Sequence, residues 1–269
     1  MDHGDDAADR GEPFDLGPHR GRPVLILHGL TGTPWEVLPV GRRLAQAKYR
    51  AVGPRTGGHA SFEDLGRSSW RDWVRTGHEH LQDLSRDGPI AVVGFSMGAL
   101  VAMYLAQDSP HQISALVLMG TPLQLRIDQR VGIQLLRAMA SVPGLAQLTT
   151  KIVKPQRTDC SIPSVAAAYP GFDAFPRQSL IELCKLQDRV RPRLHDIACP
   201  TLLLHGRKDH SAPVSNVARV TEGLSAAEVT SQILERSFHQ IAWDRDQDRC
   251  IDAIANFLAT HYPATQENE

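Results

Sequence analysis

Apolar residues in this chain fall into two alternating rhythms. Short unbroken runs bounded by turn residues recur at Val24-Leu-Ile-Leu27, Ile90-Ala-Val-Val93, Ala115-Leu-Val-Leu-Met119 and Thr201-Leu-Leu-Leu204. Runs of that kind predict strands covered on both faces. Shorter candidates are Phe14–Leu16, Arg50–Gly53 and the stretch Glu228–Leu234. Between the runs the apolar residues take helical spacing. Val37, Leu38, Leu44 and Ala45 follow Pro34, and Trp70, Trp73, Val74, Gly77, Leu81 and Leu84 share one face. Further helices are predicted over Ala99–Ala106, from about Pro213, and from Asp244 to about Thr260 with Ile251, Ile254, Phe257 and Leu258 inward. Strands alternating with helices imply βαβ units and a mostly parallel, twisted sheet flanked by helices.

The alternation stops between Pro122 and Ala198. Ile127, Val131, Leu135 and Met139 recur every fourth residue, and Leu180, Leu183 and Cys184 continue in helical spacing, with no strand in between. Lys154 to Arg177 is loop-rich and carries Tyr169, Phe172 and Phe175. The expected organisation is therefore an α/β core over 14–121 and 199–262 with a small helical cap, 122–198, inserted after the strand that follows the Ala99 helix. Residues 1–13 read as a disordered acidic tail and 263–269 as a polar tail.

The bulk composition adds exclusions. The 269 residues are 42% hydrophobic and 22% charged, ordinary for a soluble globular protein. A net charge of −1 gives no electrostatic argument for nucleic acid or an anionic membrane. Cys160, Cys184, Cys199 and Cys250 are far apart and without metal-ligand spacing, so reduced thiols and no metal are expected. The first ten residues lack an apolar segment, and no run approaches the roughly 18 apolar residues of a membrane span. These features predict no stable membrane insertion and a cytoplasmic location.

Chemistry enters at Gly94-Phe-Ser-Met-Gly98, which lies between a predicted strand and a predicted helix. In that setting G-x-S-x-G places a serine on a sharp turn, its hydroxyl exposed at the top of the sheet. Ser96, Asp209 and His239 all follow C-terminal ends of predicted strands, the edge where open α/β sheets collect ligands. Their chain order Ser, Asp, His suits a nucleophile, an orienting acid and a base. Asp196 precedes its strand and is excluded by position; Glu235 is the weaker rival for the acid. His239 alone lies between the last strand and the last helix, whereas His210 abuts the acid and His261 follows the helix. The backbone N–H groups of Leu30 and Met97 are the expected oxyanion donors, with His28 and His59 as structural residues beneath.

His28-Gly-Leu-Thr-Gly32, Gly94-Phe-Ser-Met-Gly98, Pro200 to Asp209 and Ser237-Phe-His239-Gln together resemble the capped α/β-hydrolase superfamily over roughly Phe14 to Tyr262. The nearest branch is that of bacterial carboxylesterases and monoacylglycerol lipases. The resemblance implies a Ser-Asp-His carboxylic ester hydrolase that forms an acyl-enzyme, uses no cofactor and takes short- to medium-chain acyl esters beneath a cap. Two departures stand out: the start is too short for a full antiparallel pair, and Phe238 occupies a position where glycine is common. Thioesterase or acyltransferase chemistry with the same triad, or a non-catalytic ligand-binding role, are the alternatives. Substrate-binding residues and the choice between monomer and dimer are left open.

Overall fold

The computed structural model describes residues 10–140 and 150–264. Its main sheet has seven strands, Phe14–Leu16 (β1), Pro23–Leu27 (β2), Arg50–Gly53 (β3), Ile90–Phe95 (β4), Ile113–Met119 (β5), Thr201–Gly206 (β8) and Val229–Leu234 (β9), in the order β1-β3-β2-β4-β5-β8-β9. Only β1, paired with β3, is antiparallel; every other neighbour pair is parallel. Among the described residues one antiparallel strand, β1, opens the sheet.

The strands are unbroken apolar runs because each supplies two cores. On β2, Leu25 and Leu27 point to one face, whereas Val24 and Ile26 point to the other. The first face is covered by helices Trp70–Leu84 (α3) and Met97–Asp108 (α4), with Trp73, Leu81, Leu100 and Val101 buried there. The second is covered by Leu38–Gln46 (α1) and Gln247–His261 (α9) through Leu38, Leu44, Ile254 and Leu258. Each fully buried aliphatic side chain contributes about 1.5–3 kcal/mol relative to exposure. A short helix, Phe62–Arg67 (α2), precedes α3. Ser61 accepts the Asp64 N–H at its start, and Ser69 with Asp72 forms a capping box that starts α3 afresh. The last core helix before β9 is Asn216–Gly223 (α8).

The segment 122–198 contains helices Ile127–Ala140 (α5), Pro163–Ala168 (α6) and Arg177–Val190 (α7), but it is not purely helical. Lys151–Val153 (β6) and Ala174–Pro176 (β7) pair antiparallel as a two-stranded ribbon, contrary to the expectation of no strand. Three residues are too few to show period-2 alternation, so the pairing partner decides. The stripe expected to bury on α5 is also turned outward: Val131 and Leu135 are 54% and 60% exposed. Ile133 packs instead, against Leu125 and Ile181. A helix with apolar residues on more than one face offers two stripes, and only the neighbour selects one. The side chains of Ile127 and Met139 lie outside the described residues.

Residues 1–9 of the expected leading tail lie outside the described residues; within its last part Gly11 is buried and Glu12 pairs with Arg55 at 2.9 Å. Of the closing tail, Pro263 accepts a hydrogen bond from Arg22 and 265–269 lie outside the described residues. The last helix begins at Gln247 rather than Asp244, whose side chain is used as a loop brace. None of the four cysteines is in a disulfide among the described residues; Cys250 is buried and the others are half-buried. Among the described residues no helix is long and apolar enough to cross a membrane.

Candidate active site

Ser96 is at the junction of β4 and α4 with φ 53° and ψ −116°, a conformation rare outside glycine. The turn is possible because strand and helix nearly touch. A Cβ on Gly94 would strike the Gly98 carbonyl, and one on Gly98 would strike the Leu27 carbonyl. Ser96 N–H donates to the Met119 carbonyl at 2.8 Å, tying the turn to β5.

The turn after β9 brings His239 over this serine. Its Nε2 is 2.9 Å from Ser96 Oγ and its Nδ1 is 2.7 Å from Asp209 Oδ2. That line assigns Nδ1–H as donor to the carboxylate and Nε2 as acceptor of the hydroxyl proton. Asp209 also accepts the backbone N–H groups of Ser211 and Ala212 at 2.8 and 2.7 Å, and its Oδ2 is 3.1 Å from His205 Nε2. Burial would raise the Asp209 pKa, but His239 and His205 beside it hold the carboxyl far below the usual range. For His239 burial pulls down and the Asp209 charge overrides it, leaving the imidazole above its ordinary value. The rivals are elsewhere. Glu235 makes an exposed pair with Arg207 at 2.8 Å, and Asp196 pairs with Arg193 beyond the opposite strand ends.

The loop after β2 supplies the other wall. Thr31 has φ 62°, and Gly29 N–H donates to Glu36 Oε2 at 2.8 Å. Among the described residues no acceptor takes the Leu30 N–H. Met97, first residue of α4, has an N–H with no intrahelical acceptor, at the positive end of the helix dipole. His28 Nδ1–H donates to the Gly29 carbonyl at 2.9 Å while Nε2 accepts the Thr56 N–H at 3.0 Å. His59 stands edge-on to it at 4.9 Å. Burial drives both imidazoles down, His28 well below the ordinary value and His59 to about 4. Both are neutral struts.

Several polar residues around the site have no signature in the sequence pattern. Asp159, from the 122–198 segment, accepts His210 N–H at 2.8 Å and His210 Nδ1–H at 3.0 Å, and its own carbonyl accepts Gln240 N–H. Asp244 accepts the Phe238 N–H at 2.8 Å and the Ser161 hydroxyl, holding the turn that carries His239. His205 had a legible signal: Val24–Gly29 and Thr201–Gly206 both end apolar-His-Gly, and both histidines are buried polar struts. Among the described residues no three His, Cys, Asp or Glu side chains are grouped to hold a metal ion.

A mostly parallel sheet with a serine on the strand–helix turn after its central strand defines the α/β-hydrolase class. Within that class the chain belongs to the family described as Serine aminopeptidase, S33, which matches residues 18–246. It is 30% identical over 240 residues to a thermostable monoacylglycerol lipase of Bacillus sp. (strain H-257), covering 88% of this chain and 90% of that protein. A carboxylesterase of Bacillus subtilis is 24% identical, over 87% of this chain and 91% of its own. A solved structure from the metagenome-derived lipolytic enzymes LipS and LipT aligns with TM-score 0.82 at 22% identity, covering 93% and 98% of the two chains. That last likeness is one of fold.

Proposed function

We propose that this protein is a carboxylic ester hydrolase, a cytoplasmic and cofactor-free enzyme of carboxylesterase or monoacylglycerol lipase type. The observation that carries the reading is the hydrogen-bonded line Asp209–His239–Ser96, aimed from two sheet-edge loops at the serine of the strand–helix turn. Ser96 Oγ attacks the ester carbonyl carbon as His239 Nε2 takes its proton, and the carbonyl oxygen gains the charge. Leu30 and Met97 N–H groups receive that oxyanion. His239 then protonates the leaving alcohol, and water repeats the sequence on the acyl-enzyme. The names borne by the two Bacillus relatives favour an ester bond over the peptide bond in the family description.

Residues 122–198 act in this reading as a cap. Phe172 N–H donates to the Thr31 carbonyl at 2.8 Å, which sets an apolar side chain beside the oxyanion loop. Each methylene buried there contributes up to about 0.8 kcal/mol, so uncharged short- to medium-chain acyl esters, monoacylglycerols among them, are the expected substrates. The test is kcat/KM across 4-nitrophenyl esters from acetate upward, beside acyl-CoA and aminoacyl 4-nitroanilide series. Ser96→Ala is expected to fold and to lose at least about four orders of magnitude in turnover. Retained turnover would dismiss Ser96 as the nucleophile. A hundredfold acyl-CoA or anilide preference would dismiss the ester assignment.

A further inference from the structure

Glu36 is a buried carboxylate that the triad mechanism does not use. It is 3% exposed and lies in the 3₁₀ turn Pro34–Val37 that enters α1. Three segments converge on it. Oε2 accepts Gly29 N–H at 2.8 Å; Oε1 accepts Gln240 Nε2–H at 2.7 Å and the Tyr169 hydroxyl at 3.0 Å. Those donors come from the oxyanion loop, the residue after His239, and the 122–198 insertion. A Cβ on Gly29 would lie 3.0 Å from Glu36 Oε2 and 3.2 Å from Ser96 Cβ, so the carboxylate and the serine flank one glycine. The loop is shaped around the carboxylate: a Cβ on Gly32 would overlap it outright.

We infer that Glu36 is the positioning residue of the oxyanion hole, fixing the Gly29–Leu30 turn through Gly29 N–H and tying it to the His239 loop through Gln240 and to the cap through Tyr169. The inference rests on the Ser96 esterase reading. Its logic is donor accounting. Taking up the Gly29 N–H fixes the turn so that the next donor, Leu30 N–H, faces the serine; the same carboxylate leaves the Gly29 plane no freedom to rotate. Burial raises the Glu36 pKa above the ordinary carboxylate value, and the three hydrogen-bond donors and the nearby Lys154 ammonium act against that rise. The same Tyr169 hydroxyl proton lies between Glu36 and the Thr31 carbonyl, which at 3.4 Å is the longer branch of a shared hydrogen bond. The cap is thereby joined to the reacting centre by hydrogen bonds to the oxyanion loop itself.

A misplaced donor of this kind costs on the order of tenfold to a hundredfold in rate. Glu36→Gln puts one acceptor oxygen where two served three donors, so at least one of the three bonds is lost. The experiment measures kcat and KM on one 4-nitrophenyl ester and the Ki of a trifluoromethyl ketone, whose hemiketal mimics the oxyanion, for wild type, Glu36→Gln, Tyr169→Phe and Ser96→Ala. Expected are a tenfold or larger fall in kcat for Glu36→Gln with KM within threefold, and a parallel rise in Ki. Tyr169→Phe, which removes one hydroxyl, is expected to shift both in the same direction by threefold to tenfold, and it carries the test if Glu36→Gln does not fold. Kcat and Ki within twofold of wild type in the folded variants, or a rise in KM alone, would overturn the inference. An inactive wild type or an active Ser96→Ala would instead fail the esterase reading, so the two failures are distinguishable.

Discussion

At the scale of single residues the site is a matter of how one charge sets another. Burial alone would depress the His239 imidazole, and the Asp209 carboxylate reverses that. In the proposed mechanism only the neutral form accepts the Ser96 proton, so kcat/KM is expected to rise with pH through a midpoint above the ordinary histidine value of about 6.5. Asp209→Asn removes the raising charge and leaves the burial. The midpoint should therefore move to lower pH while kcat falls by up to about 10⁴, because the tautomer and orientation are lost. A pH–rate profile of the two proteins on the same ester checks both signs. Unchanged activity in Asp209→Asn beside an inactive Glu235→Gln would reassign the acid, although the exposed Arg207 pair already occupies Glu235.

The decisive element is the β4–α4 turn. Its strain at Ser96 is tolerated because strand, turn and helix are clamped by backbone approach rather than by side chains. Gly98 packs against the Leu27 carbonyl on the neighbouring strand, and backbone atoms there cannot yield as the end of a flexible side chain would. Gly98→Ala is thus expected to cost about 1–3 kcal/mol, as overpacking of a filled core does, and to displace the nucleophile. Thermal unfolding and ester turnover measured together should both fall. A wild-type Tm with wild-type kcat would show that the close approach is not needed. The α5 helix makes the opposite point: its apolar spacing was plain in the sequence, yet Ile133 rather than Val131 or Leu135 found a partner.

For the whole molecule, the buried histidine pair links fold stability to pH. His59 titrates near 4 in the folded protein, whereas an unfolded histidine titrates at about 6.5. Between those values the unfolded chain holds the extra proton, so stability falls as pH drops through that window and is fully present above it. One such group accounts for about 3 kcal/mol at pH 4, and His28, held lower still, adds in the same direction. Urea midpoints at pH 7 and pH 4.5 are expected to differ accordingly. His59→Gln should be less stable at pH 7 and lose less on acidification; an equal loss would place the acid sensitivity elsewhere.

What the sequence determined by itself was whatever repeats locally. The two-faced apolar runs fixed the parallel strands, because a strand covered on both sides leaves no polar alternation. The G-x-S-x-G turn fixed where a strained serine belongs, since only glycine lets strand and helix approach so closely. The order of Ser96, Asp209 and His239 along three strand ends followed from the same rhythm. Tertiary structure alone decided what meets across long separations. Glu36 reaches Gln240 across 204 positions and Tyr169 across 133, and Asp159 reaches His210 across 51. A buried carboxylate looks like any helix-entry acid until its donors arrive, because hydrogen-bond satisfaction is a property of the assembled interior and has no period along the chain. The β6–β7 ribbon and the facing of α5 were set in the same way, by partners rather than by pattern.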